Sequence, residues 1–159
     1  MIEMEKGQFN IEYLSGFIIF IFFASFVAFS VASVLPKYHL YNTKNSLQAR
    51  GFGITEIMIK TNDDFQIGGV TYHVGLANAP YELDTTRLNS FVSDCNSNYE
   101  GLKEALGLDY SNDFYFRVVS GVNLWECGKR REPLKAILAT TERYVTVGGN
   151  KGSLLFRLW

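Results

Sequence analysis

The sequence predicts an α+β protein in which a long N-terminal helix, transmembrane in its first half and amphipathic in its second, carries an antiparallel β-sheet headpiece. Three observations lead there. From Tyr13 to Leu35 there is no Asp, Glu, Lys or Arg. Apolar residues then continue at helical spacing as far as Met58. Beyond residue 62 the chain breaks into short apolar runs separated by glycine-containing turns, the punctuation of a sheet. The 159 residues provide for one compact domain and an appendage. A formal net charge of -1 lacks the basic excess of a nucleic-acid binder, so no nucleic-acid partner is expected.

As a helix rising about 1.5 Å per residue, the charge-free stretch would span roughly 34 Å, slightly more than a hydrocarbon core of roughly 30 Å. A helix apolar on every side for that length reads as a membrane segment. A secretory signal peptide would have a basic start, a shorter apolar run and a small-residue cleavage site. Here the leader carries Glu3, Glu5 and Lys6, and Val34-Leu35-Pro36-Lys37 is a poor cleavage site.

The residues ahead of the apolar run are the informative ones. Lys6-Gly7-Gln8, followed by Glu12-Tyr13-Leu14 and an unbroken apolar helix, resembles the class III signal peptide of archaeal type IV pilins. Asn10 stands where that pattern has serine. The resemblance covers about the first 35 residues, with a fainter likeness to headpieces of the same kind in "VGLANAPYELDTTRL" and "LKEALGL". It implies a pilin-like fold and a processing site at Lys6, Gly7 and Gln8, where a prepilin peptidase cuts between Gly7 and Gln8. Residues 1–7 would be the leader, 8–35 the transmembrane and filament-core helix, 36–61 its amphipathic continuation and 62–159 an extracellular headpiece. It further implies a structural subunit, a major or minor pilin, that resides in the membrane before assembly. The pilus assembly machinery would then pack it with copies of itself or other pilins into a surface filament serving adhesion, surface attachment, biofilm formation or DNA uptake.

The position of Glu12 fits that implication. A carboxylate at the bilayer centre costs about 2.5–3.5 kcal/mol on insertion scales and less near an interface. Near a helix start it also meets the favourable end of the macrodipole, worth about 0.3–1 kcal/mol. Cutting after Gly7 would create an amino group on Gln8, one turn before Glu12, so Gln8 and Glu12 are the expected assembly pair. The alternative is a monomeric single-span membrane protein with Glu12 in the headgroup region and an outer domain that binds a ligand or partner. Lys37, Lys44 and Arg50 follow the helix whereas Lys6 alone precedes it among the basic residues, and a bare charge count would place the C-terminal part in the cytoplasm. That rule loses force beside a long domain, and the processing signature sets the opposite orientation.

Pro36 is expected to kink or interrupt the helix. Leu40, Leu47, Gly51, Ile54 and Met58 then share one narrow face, and Asn62-Asp63-Asp64 stops the helix. "GGVTYHVGLA" reads as a strand after a Gly68-Gly69 turn. Asp84 caps a helix from Thr85 to about Val92, and "NYEGLKEALGL" forms another that ends near Gly107. Strands are expected over Phe114–Val119, Val122–Cys127, Lys135–Val147 and Ser153–Trp159, the last two joined by a "GGNKG" hairpin. The result is a sheet of about four or five strands packed on the apolar stripe of the long helix.

Cys95 and Cys127 are the chain's two cysteines. In an extracellular domain they permit one disulfide, closing a loop of about 30 residues; two buried thiols satisfy the spacing equally. "GGNKGS" lacks the order of a phosphate loop. His39 and His73 stand apart from each other and from the cysteines. Asp109, Asn112 and Asp113 fail the EF-hand spacing, and "GKRRE" reads as a solvated turn. No catalytic, cofactor-binding or metal-binding residues are therefore nominated, and no enzyme activity is expected.

Overall fold

The computed structural model describes the backbone of residues 3–130 and 138–159, with side chains for these except residues 3–10 and His39. Two compact units divide the chain, Met1–Asn42 and Thr43–Trp159. One helix, α1 (Glu3–Lys60), contributes to both. It runs through Pro36 without interruption, so of the kink or interruption expected there the interruption does not occur, and residues 8–60 lie in one long helix. The proline ring removes one i to i−4 hydrogen bond, and the intact ladders on either side keep the helix going.

In the second unit the α1 residues Leu47, Gly51, Ile54 and Met58 are buried as their spacing requires, whereas Leu40, expected on the same face, lies in the first unit and is exposed. Gly51 lies close against the sheet. A Cβ there would lie 3.3 Å from Thr141 Oγ1 and 3.9 Å from Phe156 Cδ1, so its absence lets the helix settle on the sheet. Beside it, the Arg143 guanidinium lies 4.1 Å from the centroid of the Phe52 ring and pairs with Glu56 at 3.4 Å.

After α1 come a small hairpin, β1 (Asp64–Ile67) and β2 (Val70–His73), then β3 (Ala77–Ala79) and β4 (Glu82–Leu83). Two helices follow, α2 (Thr85–Ser97) and α3 (Tyr99–Ala105). The chain finishes with β5 (Phe114–Ser120), β6 (Asn123–Gly128), β7 (Ala139–Val147) and β8 (Asn150–Leu158). Asp84 caps α2 as expected, accepting from the backbone N–H of Thr86 at 2.6 Å and of Arg87 at 3.3 Å. The helix continues past Val92 because Leu88, Phe91 and Cys95 keep presenting a buried face. Asn98 ends α2 and caps α3, its side chain accepting from Gly101 N–H. Gly107 takes a positive φ of 68° just beyond α3.

The main sheet has six strands in the order β3-β4-β7-β8-β5-β6. It is mixed, not wholly antiparallel: β4 runs parallel to β7 through the pairs Glu82↔Thr146 and Leu83↔Val147. The expected strand in "GGVTYHVGLA" pairs instead with β1 in a separate two-stranded hairpin. The expected start of β7 at Lys135 lies outside the described residues, and the strand is described from Ala139. Gly68-Gly69 and Gly148-Gly149 turn their hairpins with both φ angles positive, the geometry that matches the twist of the flanking strands.

One face of the sheet is buried against α1, α2 and α3. Phe91 and Phe116 meet at 4.7 Å between ring centroids, Phe114 and Phe156 at 5.6 Å, and Tyr99 and Phe114 at 5.0 Å. Tyr99 closes a corner of this core. Its hydroxyl oxygen accepts from Phe114 N–H at 2.9 Å, and its O–H lies within reach of the Phe114 carbonyl at 3.2 Å. Burial pushes the phenol well above the ordinary tyrosine range, although the bond to the Phe114 backbone offsets part of the shift.

Because β8 lies between β7 and β5 and pairs with both, deleting Ser153–Trp159 should abolish cooperative thermal unfolding of the headpiece; a truncated chain that still melts in one sharp transition contradicts this. The raised Tyr99 pKa means that the fold favours the protonated phenol. Its contribution is complete below the unfolded tyrosine value of about 10 and is lost as pH rises beyond it. Urea midpoints should fall above about pH 10, and Tyr99→Phe should flatten that limb. At neutral pH the same substitution should cost about 1–3 kcal/mol by stranding the Phe114 amide.

Candidate functional site

The first candidate site is the N-terminal half of α1. Residues 11–38 are exposed throughout apart from half-buried Ser30. Sixteen large hydrophobic side chains between Ile11 and Leu35 lie on that surface, among them Phe17, Phe20, Phe22, Phe23, Phe26 and Phe29. At about 1.5–3 kcal/mol for each such side chain left in water, the total reaches several tens of kcal/mol, beyond the roughly 5–15 kcal/mol that holds a whole domain folded. Another medium or another chain must cover this surface. By length and composition α1 is sufficient to cross a membrane. Ser15 and Ser33 donate their hydroxyls to the carbonyls of Glu12 at 2.9 Å and Ser30 at 2.8 Å, which satisfies them inside an apolar surrounding.

Lys6, Gly7 and Gln8 lie within α1 by backbone, and their side chains fall outside the described set. Glu12 is exposed and has no ion-pair partner among the described residues. In the full sequence the Gln8 nitrogen is a peptide amide, not the free amine expected to neutralise Glu12.

Several of the other polar residues noted in the sequence make contacts within the fold, whereas the side chain of His39 lies outside the described set. His73 Nδ1 lies 2.9 Å from Asp94 Oδ2, which joins β2 to α2. Asp109 takes Arg50, and Asp113 takes Lys129 at 2.8 Å. Within "GKRRE", Arg130 pairs with Glu126 on β6, and Arg131 lies outside the described residues. Among the described residues no three His, Cys, Asp or Glu side chains converge as metal ligands would. Cys95 on α2 and Cys127 on β6 are joined by a disulfide, with their Cα atoms 6.2 Å apart. Trp125 supports the same seam by donating its indole N–H to Asn89 Oδ1 at 2.8 Å.

A second candidate lies on the uncovered face of the sheet and was not visible in the sequence. Pro80 and Tyr81 form the two-residue turn between β3 and β4, bracketed by the Ala79↔Glu82 pair. Tyr81 has φ 67°, the one positive φ at a described non-glycine residue. Left-handed backbone costs a side chain about 1–2 kcal/mol and ordinarily falls to glycine or asparagine. The turn is held by Tyr81 N–H donating to the Ile59 carbonyl at 2.7 Å and by Thr146 N–H donating to the Tyr81 carbonyl at 2.8 Å. The Tyr81 side chain borders a hollow of about 340 Å³ with Tyr144, Thr146, Lys151 and Gly152. A separate hollow of about 450 Å³ lies beside α3, lined by Tyr72, Asn98, Glu100, Lys103 and Tyr110 among others. There Lys103 is already engaged by the Tyr110 carbonyl, Glu100 and Asp113.

No family model, curated protein or solved structure matches this chain.

The disulfide closes a loop across a sequence separation of 32. In the chain-entropy treatment such a closure contributes about 4 kcal/mol. The Cys95→Ala/Cys127→Ala double variant should therefore lower the guanidinium unfolding midpoint, and adding reductant to the unmodified protein should reproduce most of that fall. Equal midpoints with and without reductant would show that the bridge does not support the headpiece.

Proposed function

We propose that this chain is a structural subunit of a type IV pilus-like surface filament, cut between Gly7 and Gln8 and assembled by side-by-side packing of its N-terminal helices. The observation that carries the reading is an apolar helical surface, uncovered from Ile11 to Leu35, placed directly after Lys6-Gly7-Gln8 and Glu12-Tyr13-Leu14. Lipid covers that surface before assembly, and neighbouring helices cover it afterwards. The headpieces form the outer coat, in a role of adhesion or surface attachment.

Two features support an outward orientation of the headpiece. A disulfide between Cys95 and Cys127 is at home in an oxidising compartment. Arg50 belongs to the headpiece, where it binds Asp109. The basic residues that flank the apolar stretch on that side therefore reduce to Lys37 and Lys44, which weakens the charge count favouring the opposite topology.

In the filament the new Gln8 ammonium, from the same chain or a neighbour, offsets Glu12. Removing one partner of such a pair in an apolar surrounding is strongly destabilising, by about 3–5 kcal/mol. The alternative is a single-span membrane protein whose outer domain binds a ligand or partner. N-terminal sequencing of protein isolated from cells separates the two readings. A filament subunit begins at Gln8 and appears in sheared material, whereas an anchored monomer keeps Met1 and stays with membranes. Glu12→Ala should be processed normally yet give a low filament yield. A normal yield from that variant would remove the ion pair from the assembly mechanism.

A further inference from the structure

The geometry points to a binding site for an acidic sugar ring in the hollow beneath Tyr81, Tyr144 and Lys151. The site is complete within one chain, so it stands whether or not the chain assembles. Tyr144 and Thr146 alternate with the buried Val145 and Val147 along β7, which puts both on the open face of the sheet. Lys151 is opposite Thr146 in the β7–β8 register, and Gly152 is opposite Val145. Tyr81 reaches the same place only because β4 pairs in parallel with β7, aligning Glu82 with Thr146.

Three properties of this cluster indicate a ligand. Tyr144 is 84% exposed and Tyr81 46% exposed, and neither phenol has a hydrogen-bond partner among the described residues. Lys151 is exposed and unpaired among the described residues. Glu82 stands on the far side of Thr146 in the same row and makes no ion pair with it. Third, the backbone holds Tyr81 at φ 67° although its ring lies outside the core cluster, within electrostatic reach of Lys60, which pairs with Glu56. Strain retained at an exposed aromatic residue is the pattern of a contact surface, since asparagine or glycine would make the same turn more cheaply.

The chemistry of the lining selects the ligand. Two tyrosine faces cover the apolar C–H face of a pyranose ring, and their hydroxyls can donate to and accept from its hydroxyl groups. The Lys151 ammonium, with no carboxylate of its own, complements a carboxylate carried on that ring. A hollow of about 340 Å³ suits one ring and is at the small end of the range for ligand pockets. A uronic-acid unit within a longer chain satisfies all three requirements, whereas a bare anion leaves the two aromatic rings unused.

The test is an NMR titration of the full-length protein in detergent micelles. One arm uses a hyaluronan octasaccharide, which alternates glucuronate with N-acetylhexosamine; the other uses a neutral cello-oligosaccharide. The acidic chain should bind at least about fivefold more tightly, with Lys151→Gln removing the preference and Tyr144→Ala weakening both ligands at least about tenfold. Tyr81→Phe keeps the ring and loses the hydroxyl contact, so it should bind both ligands about fivefold more weakly. Tyr81→Asn should lose binding while its melting temperature holds or rises, because asparagine accepts the left-handed backbone. Binding unchanged in Tyr144→Ala would overturn the site, as would displacement of the octasaccharide by an equal concentration of inorganic phosphate. A markedly lower melting temperature for Tyr81→Asn would show that the tyrosine serves the fold and would equally overturn the proposal.

Discussion

The rest of the molecule depends on how the apolar surface of α1 is covered. From Leu47 onward the helix presents a stripe that the headpiece covers itself, with Gly51 letting the backbone close on Thr141 and Phe156. Between Ile11 and Leu35 the helix is exposed among the described residues, and apolar side chains make up most of its surface. Burial of the first kind needs a partner on one face only and leaves room for Arg50, Glu56 and Lys60 on the others. Exposure of the second kind is intolerable in water and is satisfied by lipid or by other helices of like character. One continuous helix is thus written for two surroundings, and the change between them falls near the boundary of the two compact units at Asn42 and Thr43.

The second unit is held together by contacts of several kinds. Its core stacks Phe114 between Tyr99 and Phe156. The disulfide ties α2 to β6, one of the two edge strands of the main sheet. Polar clasps complete the perimeter: Arg87 joins Asp64 at 2.8 Å and also donates to the Gly75 carbonyl, while Tyr115 donates to Glu126 at 2.8 Å. None of these is large individually, since partly exposed ion pairs contribute about 0–1 kcal/mol. Together they hold the ends of elements that the core does not reach.

Elements with strong local signals were legible in the sequence. The charge-free run, the Asp84 cap, the glycine hairpins and the long β-branched and aromatic runs of β5, β7 and β8 each announce themselves within about ten residues. The short strands β3 and β4 were not legible, because three and two residues cannot display an alternating pattern. The cluster of Tyr81, Tyr144 and Lys151 was hidden for the same reason: its members come together only through the parallel pairing of β4 with β7. Pro36 left a kink or an interruption open, and the helix is not interrupted, since a single missing hydrogen bond does not end a helix that is intact on both sides.

By itself the sequence determined that an apolar helix precedes an α+β headpiece, that Asp84 begins its helix, and that Gln8 and Glu12 stand one turn apart on a helix. These are matters of spacing and composition, and they act between neighbours along the chain. Only the tertiary structure decided which cysteine state obtains, where β4 pairs, and that Tyr81 is held in a left-handed turn beside Tyr144. Those depend on contacts between residues tens of positions apart, whose closeness is set by the packing of the whole core and leaves no trace in any local stretch.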